Sequence, residues 1–489
     1  MKFSKTLMAA LFASTALMAS GADAEGLKGT VKHVLLISVD GLHNSDLTAY
    51  IAANPNSAMA AMASMGVHYD NAKSGLPSDS FPGLLAIVTG GSPKSTGVFY
   101  DDMYDRNLSA PGSDCSTKGT EVVYDETLEI NPDAVDAGGG INEAALPRDP
   151  ANSCAPVYPH SFLRVNTVFE VAKAAGMLTA WADKHPSYDL VNGPSGHGVD
   201  DLFTPEIAAG GTTDAVATTV AYDDTKVAAV LNQIGGMTHD GKPASVPAIF
   251  GMNFQAVSVG EKTKGYIDAA GTPSPELADA FMHTDASLAK MLAALKTAGI
   301  DQETLVILTA KHGQSPIDPA LHKIVDKKAI SRVLDTVAPG LAAKVSADTS
   351  ALIWLTDQSK TADAVKALEA AKAELGIDEI YDAARITAMF GDALKDGRIP
   401  DLIIQPVNGI MYAKPTATKI AEHGGFGVED THVPVLISNP ALAAATVSDA
   451  VGTVNVAPTI LAALGLDPAS LLAVKAEGTK VLPGLGLDQ

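Results

Sequence analysis

NAKSGLPSDSFPGLLAIVTGGSPKSTGVFYDDMYD, residues 71–105, is the stretch on which the reading of this chain turns. Ser78, Asp79 and Ser80 run into Phe81, Pro82 and Gly83 and then into the apolar run 84–88. The pattern predicts a short helix with Pro82 in its first turn, where a missing N–H breaks no helical hydrogen bond. A hydroxyl at such a start faces free backbone N–H groups and the positive end of the helix dipole. The place suits an anion such as phosphate, and a nucleophile that must attack one. A serine before a helix is ordinarily no more than a cap. Here it has company. An apolar run upstream ends in Asp40-Gly41, and two His-Gly pairs, His312-Gly313 and His423-Gly424, follow downstream.

Working outward, apolar runs at 31–40, 178–183, 248–254, 305–311, 401–405 and 432–438 read as strands. Helical patterns at 57–65, 165–175, 278–298 and 456–464 fall between or after them. Continuous apolar strands alternating with helices predict an α/β fold with a mostly parallel, buried central sheet flanked by helices. Ligands of such sheets bind beyond the carboxyl ends of the strands, where Asp40 and the pair Lys311-His312 fall. Two regions read as additions to one hydrolase domain spanning 25–489. The stretch 104–159 is polar and turn-rich. The stretch 316–412 carries a strand–helix–strand pattern at 351–356, 361–375 and 377–381, a small inserted α+β subdomain.

Composition narrows the function. Lys2 and Lys5 precede an apolar run, and Ala22-Asp23-Ala24 fits a small-x-small cleavage site, so residues 1–24 read as a secretory signal peptide. The expected location is the periplasm or the outside of the cell, and no stretch is long enough to span a membrane. The formal net charge is −22, and removal of the leader makes the rest one charge more negative. Such acidity excludes general binding to nucleic acid, which needs basic surface, but not a small anion held in a local positive pocket. Cys115 and Cys154 are the only cysteines; in an oxidising compartment they are expected to form a disulfide across the loop-rich insertion. Oligomeric state is not legible.

Taken together, Asp40, Ser80, His312 and His423 resemble the type I phosphodiesterase/nucleotide pyrophosphatase family of the alkaline phosphatase superfamily. The resemblance rests on Ser38-Val39-Asp40-Gly41, on Ser80-Phe81-Pro82 with Ile87-Val88-Thr89-Gly90, on Pro93, Gly97 and Met103-Tyr104-Asp105, and on His423-Gly424. The closing Val456-Ala457-Pro458-Thr459-Ile460-Leu461 is similar to the superfamily's ending. The resemblance implies that Ser80 attacks phosphorus and forms a phosphoryl-enzyme that water hydrolyses. It implies one or two divalent metal ions, zinc first by ligand chemistry, with Asp40, His312 and His423 as ligands.

Three departures alter what the family implies. Its Asp-His-Gly is Lys311-His312-Gly313 here, and an ammonium cannot replace an anionic ligand. Its Asp-x-x-Gly-His is replaced within 253–262, where Val257 takes the place of the Asp and Glu261 that of the His. Glu261 is the expected replacement ligand, with Gln255 a weak one. The asparagine that contacts the phosphoryl oxygen is Asp101, a substrate-facing position along with Asn253. The expectation is therefore one metal, with Lys311 and Lys184 supplying positive charge in place of the other. The expected activity is hydrolysis of a phosphodiester or pyrophosphate bond in a small phosphoester such as a nucleotide. The rival readings are a sulfatase-like or phosphomonoester hydrolase, whose Cys/Ser-x-Pro-x-Arg motif Ser80–Leu84 lacks in its Arg, and a binding protein that has lost catalysis.

Overall fold

The computed structural model describes residues 27, 29–125 and 127–487, so the predicted leader 1–24 lies outside the described residues. Twelve strands carry the architecture: β1 (His33–Val39), β2 (Gly66–Tyr69), β3 (Ala180–Ala182), β4 (Asp201–Phe203), β5 (Ile249–Phe254), β6 (Thr304–Thr309), β7 (Ala342–Ala347), β8 (Ala351–Leu355), β9 (Ile377–Tyr381), β10 (Leu402–Pro406), β11 (Val435–Ser438) and β12 (Ala445–Val447). Eight of them form one sheet in the order β12-β2-β11-β6-β1-β5-β3-β4. β1 lies at its centre, parallel to β5 (Val34 opposite Ile249) and to β6 (Val34 opposite Leu305). β11 runs antiparallel to both β6 and β2; the remaining pairs are parallel.

The continuous apolar sequence of β1 has a direct cause. Val34 and Leu36 pack into the core on one face of the sheet, and Leu35, Ile37 and Val39 into the core on the other. A strand covered on both faces has no solvent side on which to place polar residues. Helix Ser80–Thr89 belongs to the first face, and Pro275–Ala298 and Val216–Ile234 to the second.

The run 401–405, read alongside the main-sheet strands, belongs elsewhere. As β10 it joins an antiparallel sheet in the order β7-β8-β10-β9. Ala351, Ile353 and Leu355 of β8 fill that sheet's own core, while Leu352 and Trp354 pack against the main one. Cys115 and Cys154 are disulfide-bonded. No helix of the described residues is long and apolar enough to cross a membrane.

Candidate active site

The foreseen helix runs Ser80–Thr89 with Pro82 in its first turn, Ser80 as its first residue and Asp79 as its cap, the Asp79 carboxylate accepting from the Phe81 N–H. Gly83 sets how close this helix comes to the end of β6: a Cβ there would lie 2.2 Å from the Lys311 carbonyl oxygen. The close approach brings Ser80 to the strand ends. Its Oγ stands 3.1 Å from His312 Nε2 and 3.3 Å from Lys184 Nζ.

Asp40, one residue past β1, is completely buried and is the electrostatic centre of the group. Its Oδ2 accepts from Lys184 Nζ at 3.2 Å and from the Gln255 amide at 2.7 Å. Its Oδ1 is faced by Lys311 Nζ at 3.4 Å and His312 Nε2 at 3.8 Å and accepts no hydrogen bond. Burial alone would push this carboxyl up, but Lys311 and Lys184 hold it well below the usual carboxylate range. Lys311 is itself fully buried; it donates to the Tyr188 hydroxyl at 2.9 Å and lies 3.5 Å from Asp183. Burial draws its pKa down, opposed by Asp183 and Asp40. The ammonium thus occupies the neighbourhood in which a second carboxylate was missing from the sequence.

Burial, reinforced by neighbouring His423, keeps His312 well below the usual imidazole range, so it is neutral at pH 7. Its Nδ1 is turned to the Gly313 carbonyl at 3.0 Å, which leaves the Nε2 lone pair toward Ser80. That lone pair can take the hydroxyl proton or ligate a metal ion. The His423 ring stacks on His312 with centroids 3.8 Å apart, and its Nδ1 lies 3.4 Å from Asp79.

Ser80, Lys184, Asp101 and His423 share a cavity of about 140 Å³. Its far wall, which motif reading missed, contains Lys262, Lys419, Glu422 and Asp348. Glu422 pairs with Lys262 at 2.9 Å and with Lys419. Its position beside His423 was the one available signal. Asp348 accepts from Tyr100 at 2.7 Å. Tyr188 and His185 complete the side next to Lys184.

Asp40, Lys311 and His312 stand behind the cavity lining, in contact with Ser80 or with one another, whereas Asn253 and Glu261 are directed elsewhere. Asn253 is fully buried within β5 opposite Ser38, and neither its amide oxygen nor its amide nitrogen makes a hydrogen bond. Strand pairing holds it inside the sheet. Glu261 turns instead toward His43 and Asp46. It accepts from the Tyr266 hydroxyl at 2.8 Å and the Gln314 amide at 2.7 Å, and lies 3.4 Å from His43 Nδ1. Gly41, with φ +87°, makes room for it, since a Cβ there would lie 2.5 Å from Glu261 Oε2. The four foreseen ligands are therefore split, with Asp40, His312 and His423 near Ser80 and Glu261 apart.

The donor chemistry decides what metal this group can take. Asp40 Oδ1, the buried oxygen without a hydrogen bond, lies 3.8 Å from His312 Nε2, which is 3.1 Å from Ser80 Oγ, and these are donors of the type a divalent ion takes. Around Ser80, Val257 offers no donor for a second ion, Glu261 turns away, and Lys311 brings a positive charge. Among the described residues, the buried groups that gather three acidic or histidine ligands are His43–Asp46–Glu261 and Glu129–His185–Glu206, and neither includes Asp40 or His312.

Comparison with known proteins bears on the family and the fold. Residues 34–426 match the family model described as type I phosphodiesterase / nucleotide pyrophosphatase. The chain is structurally similar to murine ectonucleotide pyrophosphatase/phosphodiesterase 5, at 16% identity and a TM-score of 0.59 over 89% of this chain and 96% of that one. An inactive variant of that protein in complex with AMP aligns at 15% identity with a TM-score of 0.60, over 90% of this chain and 96% of that one. A mutant of alkaline phosphatase PafA aligns at 15% identity with a TM-score of 0.62, over 89% and 96%. No curated protein matches the sequence.

Proposed function

Because the chain belongs to the type I phosphodiesterase/nucleotide pyrophosphatase family, and is on that ground a phosphoester hydrolase, we propose that it cleaves a diester or pyrophosphate bond of a small phosphoester with Ser80 as nucleophile. One observation carries the assignment of roles: Ser80 Oγ is set between a neutral imidazole lone pair and an ammonium group. His312 Nε2 receives the hydroxyl proton's hydrogen bond. Lys184 faces the oxygen that becomes negative as the proton leaves, where a preorganised positive charge stabilises the transition state. Lys311 balances the buried Asp40 carboxylate, which in turn holds Lys184 in place. A divalent ion held by Asp40 and His312, zinc by ligand type, would supply Lewis acidity that makes the Ser80 hydroxyl a better nucleophile.

The size of the cavity supports a small substrate. About 140 Å³ holds a phosphoryl group, with its substituents reaching outward past Lys262 and Lys419. The Asp101 carboxylate in that wall takes the place of a neutral amide, and its charge disfavours a dianionic monoester more than a monoanionic diester. The leader-like start and the Cys115–Cys154 bond support export.

The test is hydrolysis of bis-p-nitrophenyl phosphate beside p-nitrophenyl phosphate and p-nitrophenyl sulfate, for the unsubstituted chain and Ser80→Ala. Diester turnover that disappears in Ser80→Ala supports the reading. Faster release from the sulfate, or no release from any of the three esters, overturns it.

A further inference from the structure

Behind the cavity wall that carries Lys184, three side chains converge that the reaction does not use. They are Glu129 from the disulfide-bonded insertion, His185, and Glu206 from the loop after β4. One ligand atom from each lies within 4.8 Å of the others, the spread that donors about one metal ion adopt. All three are buried, Glu206 completely and Glu129 with 4% exposed. His185 Nδ1 lies 3.0 Å from both Glu206 oxygens.

Glu129 is the telling member. Both its carboxylate oxygens are buried and neither has a hydrogen-bond partner. A buried carboxylate without partners is costly, and a second carboxylate beside it raises the cost. Two arrangements remove that cost: a shared proton between the two acids, or a cation between them. A shared proton links Glu129 to Glu206 and neutralises one of the two carboxyls. A cation takes up both carboxylate charges, and two carboxylates with one imidazole form the mixed oxygen–nitrogen donor set that zinc accepts.

We propose that Glu129, His185 and Glu206 bind one divalent transition-metal ion, zinc by chemistry, as a structural clamp separate from the Ser80 group. Its role follows from what it joins. Glu129 belongs to the insertion that contributes Tyr124 and Asp125 to the cavity, and His185 directly follows Lys184. Glu206 is also tied to the insertion through its own N–H, which donates to the Val135 carbonyl at 2.8 Å. The ion fastens the insertion to the segment that presents Lys184 to Ser80.

The test uses the full chain with its nucleophile side disabled, Asp40→Asn together with His312→Ala, stripped with a chelator and titrated with zinc. The expected result is one tightly bound zinc per chain and a raised thermal midpoint on zinc addition. Adding Glu129→Gln, which mimics a protonated carboxyl in shape, should remove both effects. One zinc still bound in that triple variant, or none bound before Glu129 is changed, overturns the proposal in favour of a proton shared by Glu129 and Glu206. Where Glu129→Gln does not fold, a zinc-soaked crystal of the unsubstituted chain decides. Anomalous density between the three side chains supports the clamp, and its absence at saturating zinc rejects it. Neither readout depends on turnover.

Discussion

Two groups of charged side chains diverge from the same short segment after β1. Asp40 anchors one of them, and His43 and Asp46 anchor the other three and six residues later. In the second group each member's partners are at hand: His43 Nδ1 meets Asp46 at 2.8 Å, His43 Nε2 meets the Gln314 carbonyl at 2.8 Å, and Tyr266 and Gln314 serve the two Glu261 oxygens. The first group is left incomplete. Asp40 Oδ1 accepts no hydrogen bond, two ammonium groups crowd one carboxylate, and a neutral His312 offers its lone pair to a hydroxyl at the cavity. Completed networks rigidify a fold, whereas unsatisfied buried atoms call for a reaction or a ligand. Glu261, expected among the metal ligands, lies with His43 and Asp46, a buried group of metal-ligating residue types, and not beside Ser80.

The largest expected effect breaks the comparison on its reactive side. Ser80→Ala should lower diester turnover by about 10³-fold or more with unchanged thermal stability, since the nucleophile is lost and little packing changes. Lys311→Ala and Lys184→Ala come next. Each should lower kcat by about 10²–10³-fold, the scale of one lost preorganised electrostatic group. Near-normal turnover of Lys311→Ala would remove the ammonium from its role as a substitute for metal charge.

Glu261→Ala tests the closed group. It removes one buried partner from each of His43, Tyr266 and Gln314, the first two keeping Asp46 and the third the Ser258 carbonyl, and should cost about 1–3 kcal/mol in denaturant unfolding, while kcat changes by less than about tenfold. Loss of activity at full stability would return Glu261 to the reaction. The same residue carries a pH signature. Burial pushes its carboxyl up to about 7, opposed by His43, from an ordinary 4.5. Between those values the folded chain keeps a proton that the unfolded chain releases. Its contribution to stability is therefore full below about 4.5 and is lost as pH rises through 7. Glu261→Gln should flatten that part of the stability–pH profile. The smallest effect belongs to the exposed Lys32–Glu303 pair, remote from both groups, where Lys32→Ala should change stability by less than about 1 kcal/mol.

Much of this contrast was legible in the sequence, and its limits are physical. β1, β5 and β6 announced themselves because strands buried on both faces are uninterruptedly apolar. Ser80 was legible because Pro82 and Gly83 mark the start of a helix, and Gly83 is also what the close contact with Lys311 requires. Helix Val216–Ile234 was not anticipated. Its inner face carries Asp223 and Lys226, a fully buried pair at 3.1 Å, where an apolar stripe would have been the usual sign. That pair shapes the site, because Asp223 accepts from the Gln255 N–H and Lys226 donates to the Asn253 carbonyl. The direction of Glu261 was equally hidden: Val257 and Glu261 fall on one short helix, and only tertiary packing shows that this turn faces His43. The placing of Asn253 was hidden too, because alternation along a strand does not say which buried polar residue reaches the strand's end.

The central claim is that the Ser80 oxygen attacks phosphorus. The most direct measurement is rapid-quench mass spectrometry of the chain mixed with bis-p-nitrophenyl phosphate. A transient p-nitrophenyl-phosphoryl adduct is expected on the peptide containing Ser80, absent from Ser80→Ala. Turnover that persists in Ser80→Ala, or an adduct formed on a different residue, would contradict it.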